Sequence, residues 1–487
     1  MRIGKLGLFC VALTACGPPP AQRVERDLPP QIIDVSARRA SSTAPADGSP
    51  ERPFATLAEA VRAARPGALV RLDEGQYPGG LVLARPLVLM GRGPARTRIV
   101  PGPDAEAPLL TVRGTGRIEL RGLSIVGGAV GLDIDGGAGH LLSDVSLRDQ
   151  TDTALRARGA EFSLRGSEIV DIAGGVKGFG IEATGGALQL HHCVLRRAGR
   201  RAIELHGTRA LLEDVDAAGS AVSALQALDG AEVDVSGGRF AHQGGAALYA
   251  GAATLRVTSA HLFENEYGVL GFRGARIDVT DSLLEDHAVA AVALVSSSGS
   301  VRRCTIFHGG IEGGISALGT TGVVLVEGTR ILDPGTFGVH LTNASAILRG
   351  GEISGATFDR QHELGDGLYA VDSTVVLQGA VLRRNQGSGA SLSGSQLTIE
   401  SSDLIGNGRS GLLLLDRSRA TATASLFGKN RAGVSVSELS VLSLGGSVFD
   451  ANARFAIDAG CAAAGVVHER GNRNQFVGAG PHRRACP

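Results

Sequence analysis

The sequence predicts an all-β chain, a solenoid whose short strands stack coil upon coil behind one short helix. Three observations predict it. From about Leu110 to Ile457 a strand pattern recurs roughly every 22–23 residues. Its openings fall at Leu132, Leu155, Ile181, Ile203, Leu225, Leu248, Val269, Val292, Ile315, Val339, Leu368, Ala390, Leu412, Val434 and Ile457. Most follow Gly or Ala, as in Gly131-Leu132-Asp133-Ile134-Asp135 and Gly433-Val434-Ser435-Val436-Ser437. Apolar residues at i and i+2, with polar or variable ones between, mark a half-buried strand. The third observation is the glycine content, 71 of 487 residues, which suits a chain that turns corners often and needs positive φ.

Composition narrows the function. The 48 basic and 48 acidic residues cancel, which leaves no electrostatic footprint for nucleic acid or an anionic membrane surface. Lysine occurs only at Lys5, Lys177 and Lys429, so nearly all positive charge is arginine. Aromatic residues are few and Trp is absent, so a sugar site would have few stacking platforms.

The first segment reads as a targeting signal. Arg2 and Lys5 form a positive n-region, and Leu6 to Leu13 an apolar h-region too short to span a bilayer. It closes on Leu13-Thr14-Ala15-Cys16, which resembles a bacterial lipobox. That resemblance implies a signal peptide over residues 1–15, lipidation at Cys16 and a membrane partner through the lipid. Gly17, rather than Asp, follows the cysteine, which favours the outer over the inner membrane of the cell envelope. Residues 16–50, rich in Pro, Ala, Ser and Arg, read as a flexible tether.

Order is expected from about Arg52, in a cap and first coils over residues 51–108. Thr56 and Glu59 have capping-box spacing, and Leu57, Ala60, Val61 and Ala64 follow at helical periodicity up to Pro66-Gly67. Strands are predicted at 69–72, 81–83 and 87–90, with turns at Glu74-Gly75 and Pro78-Gly79-Gly80. A short amphipathic helix here would cover the open apolar end of the solenoid.

Pro53-Phe54-Ala55-Thr56-Leu57, Pro66-Gly67, Gly75-Gln76-Tyr77 and Leu89-Met90-Gly91 together resemble the N-terminal cap of the pectin-lyase-like right-handed parallel β-helix superfamily. The resemblance implies a single-stranded right-handed parallel β-helix with coils over residues 109–460 and a C-terminal cap over 461–487. It implies little about chemistry, because that fold carries lyases, hydrolases, epimerases, adhesins and inert spikes. The sequence lacks the Asp-Asp with Gly-His-Gly pair of polygalacturonase-like members and the Asp-Pro-His-Glu motif of alginate epimerases.

Other features are structural in this reading. Asn385, Asn407, Asn430 and Asn452 recur at coil spacing, where stacked amides can bond along a ladder. Cys461 and Cys486 bracket the tail, and export makes a disulfide between them plausible. Cys193 and Cys304 lie about five coils apart, roughly 24 Å and beyond disulfide reach, and read as small buried residues. His191 and His192, adjacent on a strand, are expected to face opposite ways. No metal pattern or cofactor is evident.

Chemistry could sit at two places. The outward positions of the recurring strand begin with Arg113, then Asp133, Asp135, Arg156, Arg158, Glu182, Glu204 and His206, and Lys177 lies in an overlong coil beside them. Such groups could clamp an acidic sugar and take the proton α to its carboxylate. Alternating charge on a sheet face is more ordinarily a set of cross-strand ion pairs. The second place is the overlong coil from Ala356 to Gly367, with Asp359, Arg360, His362, Glu363 and Asp366. Insertions in solenoids gather on one face, often the binding face. Leu270, Phe272, Leu413 and Leu415 are expected to be exposed, and a loop or protein partner to cover them. A binding or structural role toward polysaccharide is favoured. The alternatives are a lyase or C5-epimerase on an acidic glycan, and an adhesin or scaffold contacting protein. A deep groove beside the charged ladder would favour the enzyme, and a flat paired face the scaffold.

Overall fold

The computed structural model describes residues 31–38, 45–103, 106–174, 177–359, 364–437, 439–459, 466–469 and 475–477. Cys16, Arg360, His362, Glu363, Cys461 and Cys486 lie outside the described residues.

Each coil turns through three strands, as in Ala187–His191, Val194–Ala198 and Arg201–His206, before the next begins at Arg209–Glu213. Every strand pairs in parallel with its counterparts one coil away, giving three long sheets. The first sheet runs from Leu81–Leu83 to Phe455–Asp458, the second from Ile32–Val35 to Val466–Glu469 and the third from Gly75–Pro78 to Gln475–Val477. Two long strands, Ile118–Val126 and His140–Arg148, bend across the corner and serve both the second and third sheets. The architecture is a right-handed parallel β-helix.

The predicted openings form one unbroken inward ladder of the first sheet: Leu132 faces Leu155, Leu155 faces Ile181, and so on to Val434 against Ile457. Every member is fully buried. Gly or Ala precedes them for a steric reason. A Cβ at Gly411 would stand 2.6 Å from the Gly433 carbonyl oxygen and 2.9 Å from Asn430 Nδ2, closer than real Cβ atoms approach.

Polar ladders close the corners. The Asn407 N–H donates to Asn430 Oδ1 at 2.8 Å, and the Asn430 N–H to Asn452 Oδ1 at 3.1 Å. Their side-chain amides donate to carbonyls of the preceding coil, Asn430 Nδ2 to Leu404 O at 2.8 Å. Ser373, Ser395 and Ser418 repeat the device at another corner. Each buried N–H thereby finds an acceptor where the sheets are interrupted.

The helix Leu57–Ala63 forms as predicted. Thr56 and Glu59 make the reciprocal capping box, and Leu57 and Ala60 are buried against the first strands. Two expectations need correction. The sheet starts inside the segment read as tether, because Ile32–Val35 pairs with Ala68–Leu72. Gly75 and Pro78, placed in turns by the sequence, are the ends of a strand, Gly75–Pro78, whose Tyr77 is fully buried and donates its hydroxyl to Asp73 O at 3.0 Å. Cys193 and Cys304 are free and buried, and burial pushes the Cys304 thiol up to about 11. Among the described residues no helix is long and apolar enough to cross a membrane.

Candidate functional site

The first sheet's outward face carries the predicted charge ladder in the predicted order. Asp133, Arg156, Glu182 and Glu204 are register partners in turn, and Asp135 faces Arg158. The structure brings them together, but as pairs. Arg158 Nη2 donates to both oxygens of Asp133 at 2.9 Å, and Arg156 Nε donates to Glu182 at 2.9 Å. Lys177 reaches Asp152 at 2.8 Å, the carboxylate that Arg156 also approaches at 3.6 Å. Arg201 pairs with Glu204. His206 bridges two acids, with Nδ1 2.7 Å from Asp229 and Nε2 3.1 Å from Glu204. Asp135 stands exposed at the strand end.

Electrostatics follow from this pairing. Burial opposes the Arg156 charge, and Glu182, Asp152 and Asp133 outweigh it, so its pKa is raised. Burial likewise opposes the His206 cation, yet Asp229 and Glu204 hold its pKa above the ordinary imidazole value. A general base must keep a lone pair free for substrate. Here the groups proposed for catalysis are engaged with one another or with neighbouring Asp152, Arg201 and Asp229, Asp135 aside.

Further along, the outward face becomes apolar and aromatic, and the expected exposure needs correction. Leu270, Phe272, Leu413 and Leu415 are half-buried, and the Arg273 guanidinium lies 5.4 Å from the Phe272 ring. Leu318 is the exposed member, at 46%. Phe337, His340 and Tyr369 stack along the coil direction with centroids 5.0 Å and 5.7 Å apart. Their faces cover one another, so they give a sugar little open ring surface.

Of the second predicted cluster, Asp359 and Asp366 are the described members. Asp366 lies in the strand Asp366–Val371, opposite Phe337, and is 5% exposed. Burial raises its pKa, and its Oδ1 accepts the Ser388 N–H at 2.5 Å. It is a buried acceptor rather than a loop ligand. Asp359 stays in the inserted stretch. His191 and His192 also differ from expectation. His192 sits in the corner with φ 51°, and each pairs with an acid of the next coil, Glu213 at 2.7 Å and Asp214 at 3.5 Å.

A cleft of about 660 Å³ lies elsewhere, at the corner between the third and first sheets. Glu264, Asp286, His287, His308, Asp333 and Thr357 line it. Sequence reasoning missed it, although a signal existed: His242, Glu264, Asp286 and His308 repeat at coil spacing. Thr357 belongs to the inserted coil, and its N–H donates to Gly335 O at 2.7 Å, so the insertion borders this cleft. A second groove, of about 590 Å³, lies on the third sheet among Arg98, Ser124, Asp144, Arg148 and Glu168. Neither opens on the charged ladder. Among the described residues no group of three or more His, Cys, Asp or Glu side chains could hold a metal ion.

The three sheets, corner ladders and capping helix define a right-handed parallel β-helix protein with a paired charged face. The chain belongs to the family described as right handed beta helix region, whose pattern matches residues 177–331 and 313–478. No curated protein matches it. Among solved structures it resembles pectate lyase Pel9A, with 14% identity and a TM-score of 0.40 over 60% of this chain and 78% of that one. It resembles the pre-mature bacteriophage phi29 gene product 12 at 12% and 0.41, over 87% and 70%. DFA-IIIase from Arthrobacter chlorophenolicus A6 follows at 12% and 0.35, over 77% and 95%. These are likenesses of fold alone.

Proposed function

We propose that the chain is an exported, lipid-anchored β-helix that binds polysaccharide at the cell envelope and does not cleave it. The lipobox-like Leu13-Thr14-Ala15-Cys16 supports the anchor and the envelope location. One observation carries the preference for binding: the predicted catalytic ladder spends its guanidinium, ammonium and imidazole groups on neighbouring carboxylates. The cleft beside the inserted coil offers a more suitable place, since carboxylates and imidazole bond sugar hydroxyls readily.

The test is a screen of the full chain, in detergent, against acidic and neutral polysaccharides. Binding is followed together with ultraviolet absorbance of unsaturated uronate. Binding without product is expected. Product that disappears in Asp135→Asn or His206→Ala would replace this reading with a lyase. Neither signal across the panel would favour a scaffold that contacts protein.

A further inference from the structure

The corner between the third and first sheets changes charge along its length. Two columns of residues run along it. One follows the third-sheet strands and includes Asp286, Asp333, Gly355, Arg384 and Lys429, all with left-handed backbone. The other precedes the first-sheet strands and includes Glu266, Glu312, Arg409, Arg431 and Arg454. In both, acids lie before the coil of Gly355 and bases after it. Asp286 is paired with His308 at 2.8 Å, and the Arg409 guanidinium lies 5.2 Å from the Phe358 ring. The side chains of Glu266, Glu312 and Asp333 are exposed and make no ion pair or hydrogen bond among the described residues. The same holds for Arg384, Lys429, Arg431 and Arg454. Coil stacking does not impose this, since corner charges elsewhere meet across coils, as Arg303 meets Asp281 at 2.7 Å.

Counting coils outward from Gly355 puts opposite charges at equal distances. In the first column Asp333 lies one coil before it and Arg384 one after, Asp286 three before and Lys429 three after. In the second, Glu312 lies two before and Arg409 two after, Glu266 four before and Arg454 four after. A second copy turned end for end about an axis through the coil of Gly355 therefore sets each of these acids against a base. No like charges meet in either column.

We propose that this corner is the interface of an antiparallel dimer of the chain. Two-fold pairing uses one patch on both copies, and complementary charge fixes its register. Ile311, 70% exposed beside Glu312, adds apolar contact. The strip is eight coil spacings long, about 40 Å, and two columns wide, so the dimer is weak and salt-sensitive. Asp286 and Asp333 also line the cleft, so the dimer and a glycan seated there are alternative states of this corner.

Zero-length carbodiimide cross-linking of the full chain, in detergent at low salt, tests the dimer, with the joined peptides identified by mass spectrometry. Asp286 and Lys429 lie six coils apart in one copy, about 29 Å, too far for an amide bond within it. A product of doubled mass with an Asp286–Lys429 bond is expected, and about 0.5 M salt should reduce it about ten-fold. Two triple variants separate this pairing from chance contact in a micelle. One carries Glu266→Arg, Glu312→Arg and Asp333→Arg, the other Arg384→Glu, Arg431→Glu and Arg454→Glu. Each alone should lose the product about ten-fold, and an equimolar mixture of the two should regain it. Absence of the Asp286–Lys429 bond at low salt, its persistence in either variant alone, or its absence from the mixture would overturn the dimer and leave polysaccharide binding standing.

Discussion

His287 and Asn265 occupy one corner column a coil apart, yet their surroundings answer them differently. Asn265 Oδ1 accepts the Gln243 N–H at 3.0 Å, and its Nδ2 donates to Phe240 and Phe263 carbonyls at 3.1 and 2.8 Å. The imidazole fits the column less well, and burial lowers its pKa to about 4. Its folded value lies below the unfolded one, so protonation favours the unfolded chain. The stability at stake is complete above about pH 6.5 and falls toward pH 4 by about 1.4 kcal/mol per unit, roughly 3 kcal/mol in all. His287→Asn, which matches the ladder, should remove that slope and stabilise the protein at pH 5 by about 2 kcal/mol, with little change at pH 7.5. Urea unfolding at the two pH values reads the difference, and equal gains at both would show that His287 carries no such slope. His206 works the other way. Its raised pKa contributes stability below the unfolded value that is lost as pH rises through the folded one.

At the scale of the element, the short residue before each inward Leu, Ile or Val governs how closely coils can stack. Gly411→Val should destabilise by about 1–3 kcal/mol, because its new atoms meet the Gly433 carbonyl and Asn430 rather than a yielding side chain. Chemical unfolding measures this, and a change below about 0.5 kcal/mol would show that the column has slack. This column and the capping helix were legible in the sequence because their signals are local: Gly or Ala, then period-two apolar residues, or Thr56 with Glu59. Ile32–Val35 was not, since four residues amid a polar stretch become a strand only through distant Ala68–Leu72. Membership of the charged ladder could be read from spacing. Its pairing could not, because Arg158 turns back to Asp133 while Arg156 turns forward to Glu182. Asp366 looked like a loop ligand because sequence does not show that its strand carries it beneath the surface.

For the whole molecule, each coil touches its neighbours and little else, so damage should stay local. Leu248→Ala removes one member of the inward ladder, between Leu225 and Val269. It should cost about 2–5 kcal/mol locally. Hydrogen exchange should accelerate in the coils of Leu225 and Val269 and remain unchanged around Leu412 and Val434. Uniform acceleration along the chain would mean that the solenoid opens as one unit.

The continuous inward ladder also bears on how such a gene can change. Duplicating or deleting a stretch that encodes one full coil leaves every other residue facing a register partner of the same kind, Leu, Ile or Val on Leu, Ile or Val. Body length can then drift by whole coils in a single recombination event, while a cleft several coils away keeps its lining. Length of the body and shape of a local surface become separately heritable traits.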